Sequence, residues 1–192
     1  FGDPDGVVIQ LQDDTYCGGA GVLGERCLAA PESAPTAGLL RVRDYNHFTI
    51  FVTDQQRSIA LYQRLFGMPI DTYQGALPVL RVGEGNQFLA LAGAGGGPQG
   101  SIIHHACLTV DDFDPDRILS VLESYGVTPR DDTPGSVGPL RSYVTMRMPN
   151  RGGAPGGTPE LYFTDPDGIL IQLQDSRYCG GNGVLGEECG TP

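Results

Sequence analysis

The sequence predicts an α+β protein built from two successive βαβββ units whose sheets pair into one open, curved barrel. Three observations carry this. A strand-to-helix passage near Tyr45 is repeated near Ile102, and each passage is followed by further short strands. The histidine and acid that frame the first strand also recur at the same spacing, His47-x4-Val52-x-Asp54 against His105-x4-Val110-x-Asp112.

In the first unit, residues 45–52 (YNHFTIFV) are rich in the β-branched and aromatic side chains that suit a pleated, half-buried strand. Asp54 is placed to cap a helix in which Ile59, Tyr62, Leu65 and Phe66 recur at helical spacing, with Gly67 as its stop. Strands are expected over 78–82 and 87–91, either side of the turn GEGN, with a further one over 70–73. The connection GAGGGPQG then precedes the second unit. There, residues 102–110 form a strand and Asp114 caps a helix with Pro115 at its first position. Ile118, Val121, Leu122 and Tyr125 make its buried stripe before Gly126, and strands follow over 140–148, 160–164 and 169–174.

A chain of 192 residues, 40% hydrophobic, can bury a sizeable core. No apolar run approaches the roughly 20 residues that span a bilayer. Twenty-three acids face 12 bases, all of them Arg, for a net charge of −11. Binding to phosphate backbones rests on basic clusters, so neither nucleic acid nor an anionic membrane surface is an expected partner.

The opening FGDPDGVVIQLQDDTYCGGAGVLGERC returns as FTDPDGILIQLQDSRYCGGNGVLGEEC at an offset of 162, with 20 of 27 positions identical. Residues 1–27 therefore read as the C-terminal strand and Cys loop of a preceding domain copy. Residues 28–41 read as a linker, 42–175 as the domain (units 42–93 and 101–175), and 176–192 as a C-terminal Cys loop. Residues 7–12 are expected to pair with an upstream domain copy or a homo-oligomer partner. Cys17 and Cys27, and Cys179 and Cys189, stand ten apart in the two loops and are read as disulfides, with free thiols as the alternative. Each bridge is worth about 2–3 kcal/mol in the loop-entropy picture, and such bridges point to an oxidising compartment, secreted or periplasmic. A zinc site lacks nearby histidines. Cys107 reads as a small buried hydrophobe. DPDG lacks the alternating acids and terminal Glu of a calcium loop and reads as a β-turn.

Taken together, NHFTIFVTDxxRSIALYQRLFGM, HHACLTVDD and YFTDPDGILIQL resemble the vicinal oxygen chelate superfamily of glyoxalase I, bleomycin- and fosfomycin-resistance proteins and extradiol ring-cleaving dioxygenases. The resemblance implies paired βαβββ units around a metal-holding cavity. It implies metal ligation by His47 and His105 on the first strand of each unit. A third ligand comes from the last strand, where the pattern DPDGNxIEL has Glu and this chain has Gln172; Gln10 stands at the same place in the upstream copy. An amide still offers an oxygen but no charge, so a divalent ion (Fe2+ or Mn2+ first, then Zn2+) is held less tightly, and a site without metal is the alternative.

Tyr162 matches a tyrosine that, in the ring-cleaving members, donates a hydrogen bond near bound substrate. Their acid–base histidine has no counterpart among His47, His104 and His105. Arg141 and Arg147, on one face of a strand, are candidates to anchor a substrate carboxylate; solvated positions are the alternative. With the hairpin closed by Asp165 and Gly168, Glu160 falls opposite Leu173 and away from Gln172, and strict alternation turns His104 away from His105. The function implied is a metal-dependent dioxygenase-like or glyoxalase-like enzyme acting on a small substrate with adjacent oxygens. The contrasting reading is a non-catalytic ligand-binding or structural module with a degenerate metal site.

Overall fold

The computed structural model describes residues 1–24, 33–34, 37–93, 101–131 and 137–186. The first unit contains β1 (Val42–Val52), α1 (Gln55–Phe66), β2 (Ile70–Gln74), β3 (Leu77–Arg81) and β4 (Phe88–Gly93). The second contains β5 (Ile102–Val110), α2 (Pro115–Ser124), the two-residue β6 (Thr128–Pro129), β7 (Arg141–Arg147), β8 (Thr158–Thr164) and β9 (Leu170–Asp175). All nine strands form one mixed sheet in the order β2-β3-β4-β1-β5-β9-β8-β7-β6. The two units thus meet at the antiparallel β1–β5 pair, and β4 and β9 flank it in parallel.

Both helices start where a side chain satisfies an orphan amide. Asp54 accepts from the Arg57 amide and Asp114 from the Arg117 amide, each at 3.0 Å. Gly67 ends α1 in the left-handed conformation at φ 69°. Two stripe residues differ from expectation. Leu65 is exposed, and α2 closes at Ser124, so Tyr125 swings out as its cap.

Strand alternation separates the helix face from the inner face. Ile50, Val52, Leu89 and Leu91 pack with Ile59 and Tyr62 of α1, while Thr49, Phe51, Ala90 and Ala92 point the other way, into a cavity. In the second unit Val110, Leu161 and Leu173 pack with Ile118 and Leu122 of α2. No helix among the described residues is long and apolar enough to cross a membrane.

The sequence repeat is also a repeat of backbone. In the first turn the Asp3 amide donates to Val7 O (3.0 Å) and the Gly6 amide to Asp3 O (3.0 Å); in the second, the Asp165 amide donates to Ile169 O (3.1 Å) and the Gly168 amide to Asp165 O (3.0 Å). The loops that follow fold alike, with amide-to-carbonyl bonds Cys17–Leu23 (3.3 Å) and Cys179–Leu185 (3.1 Å). Cys27 and Cys189 lie outside the described residues, and Cys107 is a buried free thiol.

The two copies are used differently. Residues 170–175 enter the sheet as β9, whereas residues 7–12 join none of its strands; the first hairpin instead has one antiparallel bridge, Gly2–Val8, and docks on α1. Val7 enters the α1 core, Tyr62 Oη donates to Asp3 at 3.2 Å, and the buried Asp5 carboxylate accepts from Arg57 (2.9 Å), Ser58 (3.1 Å) and the Thr53 hydroxyl. Burial alone raises the Asp5 pKa, but the hydrogen bonds outweigh it and hold the carboxyl well below its ordinary 3.8.

A carboxyl whose pKa is lowered on folding stabilises the fold above the unfolded value, and that contribution fades as pH falls through the folded one. Asp5→Asn should therefore lower the urea midpoint at pH 7. The gap to wild type should narrow steadily below about pH 3.8; a gap independent of pH would contradict this account of the hairpin's attachment.

Candidate metal and substrate site

The inner face of the sheet encloses a cavity of about 130 Å³. Three departures from regular pairing decide what faces it. Between Tyr45↔Leu108 and His47↔Cys107, β1 carries one extra residue, Asn46, so neighbouring Asn46 and His47 are both buried. Between Thr49↔His105 and Ile50↔Ile103 the extra residue is His104 on β5. This bulge corrects the alternation-based expectation: His104 and His105 both line the cavity, their Nδ1 atoms 2.7 Å apart, and His104 stacks on Phe51.

The third departure is the turn at Asp165–Ile169. Asp165 pairs with Ile169, not Gly168, so three residues form the loop and the register of β8 with β9 becomes Leu161↔Leu173 and Tyr162↔Gln172. A shift of one residue exchanges the faces of a strand. Glu160 therefore lies on the Gln172 side and lines the cavity, contrary to the register assumed from a two-residue loop.

At the centre, the Nε2 atoms of His47 and His105 stand 3.2 Å apart. Asn46 orders the first ring. Its Nδ2 donates to Tyr178 O at 2.7 Å, which leaves Oδ1 to accept from His47 Nδ1 at 2.7 Å. His47 Nε2 then carries the lone pair. Burial, then the neighbouring His105 and Arg147, hold the His47 pKa well below its ordinary value, while Gln172, as an acceptor for the protonated ring, acts the other way. Burial and His104 likewise push His105 down to about 3, again opposed by Gln172. Both imidazoles are neutral, which is the state that binds metal.

Gln172 is buried directly across from Tyr162, whose ring meets His105 edge-on at 5.3 Å. Burial first, then the Glu160 charge, raises the Tyr162 hydroxyl well above its ordinary pKa, so it remains a proton donor. It reaches Glu160 at 3.5 Å. Glu160 is paired with the buried Arg147 at 3.3 Å, and the Arg147 guanidinium lies 5.6 Å from the Tyr178 ring. Arg147 is buried beside Glu160 with its Nη2 lacking a hydrogen-bond partner among the described residues, while Arg141 lies exposed beside Thr128. Arg151, which the sequence reading missed, lines the wall.

Residues 176–186 tie both units together, and Tyr178 among them lines the cavity. Gln74 donates to Tyr178 Oη (2.8 Å) and the Gly75 amide to Asn182 Oδ1 (3.0 Å), while Arg147 donates to Gly181 O (3.3 Å) and Thr158 to Gly183 O (2.8 Å). Gly180 has to be glycine: its φ is 85°, and a Cβ there would stand 2.5 Å from the Phe88 ring.

The donor set fits a divalent ion. Cis ligands each ~2.1 Å from an ion stand roughly 3 Å apart, the separation of the two imidazole nitrogens, and Gln172 adds an amide oxygen. No carboxylate joins them: among the described residues no three or more His, Cys, Asp or Glu converge as a metal cluster.

Among curated proteins, none matches the sequence. Solved structures share the fold. A methylmalonyl-CoA epimerase from Mycobacterium tuberculosis is 19% identical with a TM-score of 0.50, the match covering 72% of this chain and 91% of that one. The 2,3-dioxygenase LapB from Pseudomonas sp. KL28 is 16% identical with a TM-score of 0.50, covering 76% of this chain and 44% of that one. At such identities the likeness is one of fold. The model of the Glyoxalase/Bleomycin resistance protein/Dioxygenase superfamily, however, matches residues 44–173. With that match spanning well over half its length and the paired βαβββ units enclosing two facing histidines, the chain belongs to the glyoxalase/bleomycin resistance protein/dioxygenase superfamily.

Proposed function

We propose that the chain is a metal-dependent enzyme of the dioxygenase-like or glyoxalase-like kind, acting on a small substrate with adjacent oxygens, in which His47, His105 and Gln172 hold a divalent ion. The observation that carries this reading is the pair of neutral imidazoles with Nε2 atoms 3.2 Å apart inside a cavity. Fe2+ or Mn2+ suits two imidazoles and an oxygen with positions left open, and Zn2+ is the third candidate. When bound, the ion supplies Lewis acidity and a template for two substrate oxygens.

The remaining roles belong to the chain. Asn46 fixes the His47 tautomer, and Tyr162 aims a protonated hydroxyl beside His105. Arg147 balances Glu160 and so holds that carboxylate in place on the cavity wall. Tyr178 contributes its ring to the cavity wall. Arg141 has no part in this reading.

A second reading, a binding module without catalysis, draws support from Gln172 itself. The amide leaves the ion's double charge uncompensated, and Glu160, the one carboxylate among the described residues lining the cavity, is paired with Arg147.

The staples belong to this proposal as well. Bridges Cys17–Cys27 and Cys179–Cys189 would close the two loops whose backbones already turn alike, and would suit a secreted or periplasmic protein. Intact mass with thiol alkylation, before and after reduction, should count a single reactive cysteine in the unfolded, unreduced chain. Five would remove the staples and the compartment inferred from them.

Protein purified without chelators should carry a divalent ion by elemental analysis, and the double variant His47→Ala, His105→Ala should carry none. Gln172→Glu should tighten binding by about tenfold, or 1.4 kcal/mol, through the added charge. Wild type that takes up no ion, even when dialysed against Fe2+ or Mn2+, would leave the binding module as the surviving reading.

A further inference from the structure

The two copies of the repeated segment are buried in complementary ways. In the copy at 163–186, Leu173 is 3% and Tyr178 2% exposed, because β9 is inside the sheet and Tyr178 lines the cavity. The equivalent residues of the copy at 1–24, Leu11 and Tyr16, are 62% and 38% exposed. At the turn the pattern reverses. Val7 is 7% exposed in the α1 core, whereas its equivalent Ile169 is 61% exposed. Asp5 is engaged by Thr53, Arg57 and Ser58, whereas its equivalent Asp167 faces solvent.

The segment therefore has two working faces, one that completes a sheet and one that docks on a helix α1, and each copy here uses only one of them. The unused turn face has the same shape as the used one. Asp165 Oδ1 accepts from the Asp167 and Ile169 amides at 2.9 Å each, as Asp3 Oδ1 does from Asp5 and Val7. Its side chains are also the same or closely similar: Asp165 for Asp3, Asp167 for Asp5 and Ile169 for Val7.

We propose that the exposed turn Asp165–Ile169 is a docking surface for helix α1 of a second copy of this domain, joined head to tail. In that contact Arg57 and Ser58 of the second copy meet Asp167, its Tyr62 meets Asp165, and Ile169 fills the apolar socket that Val7 fills here. The two surfaces differ from each other, so the contact is heterologous and extends a row rather than closing a pair. One segment then serves two domains, completing the sheet before it and seating on the helix after it, as in repeat proteins whose units touch only their neighbours.

The test compares the chain itself with a two-copy polypeptide in which residues 1–186 run directly into residues 25–192, so that 163–186 stands where 1–24 stood. Ile169→Asp should be silent in the single chain. In the first copy of the two-copy chain it should speed amide exchange of the following α1 by roughly tenfold or more, matching what Val7→Asp does to α1 in the single chain. Asp167→Asn, a milder change, should act in the same direction in the two-copy chain alone. Silence of Ile169→Asp in both chains, or an equal effect in both, overturns the proposal.

Discussion

The cavity depends on one backbone choice, the three-residue turn of Pro166, Asp167 and Gly168. Gly168 takes φ 83°, a left-handed conformation that other residues adopt at a cost, and the Asp165 carboxylate ties down two amides of the loop. That turn sets Tyr162 across from Gln172 and sends Leu161 and Leu173 toward α2. In the register one residue away, Glu160 would be driven among Ile118 and Leu122, and an unpaired charge there costs several kcal/mol. Leu161 would leave the core in the same slip, losing burial worth roughly 2 kcal/mol. Turn geometry and core packing therefore demand the same register, and the carboxylate on the cavity wall is a consequence of both.

Within the cavity, the charged side chains are matched to one another. Glu160 is matched by Arg147, and the three histidines have lowered pKa values, through burial first. With the lone pair of His47 on Nε2, His105 can donate to it through its own Nε2 and accept from His104 on Nδ1, so that the contacts at 3.2 and 2.7 Å are both satisfied. A glutamate at position 172 would add a second carboxylate to the cavity beside Glu160. Glutamine adds no charge beside the Glu160–Arg147 pair, and for the same reason gives a bound ion less to hold it.

Much of the fold was legible because its signals are local. Asp54 and Asp114 before helical periodicity, Gly67 after it, and short β-branched runs identify elements without knowledge of their neighbours. The matched positions of His47 and His105 likewise survive into the structure, since each unit keeps its own strand order. What could not be read were properties of pairs of strands. An extra residue at Asn46 or His104 leaves no mark in composition, yet it brings two consecutive side chains to one side. Glu160 was misplaced by one residue of loop length. The role of residues 176–186 was not legible, because their contacts with Gln74, Arg147 and Thr158 join segments far apart in the chain.

The differences between the two copies carry as much information as the identities. Of seven, Val7 for Ile169 and Val8 for Leu170 preserve apolar character. Two others coincide with bonds that fasten the second copy to its domain. Thr164 accepts from the Arg141 amide at 3.0 Å and donates to Gly138 O at 2.6 Å, and glycine stands there in the first copy. Asn182 accepts from the Gly75 amide, and alanine stands there in the first copy. The turn, the strand and the glycines that shape the loop are kept, while these two polar pins are not. Any domain completed by residues 7–24 would therefore rely on the strand and the apolar fit of its loop rather than on the side-chain hydrogen bonds that Thr164 and Asn182 make here.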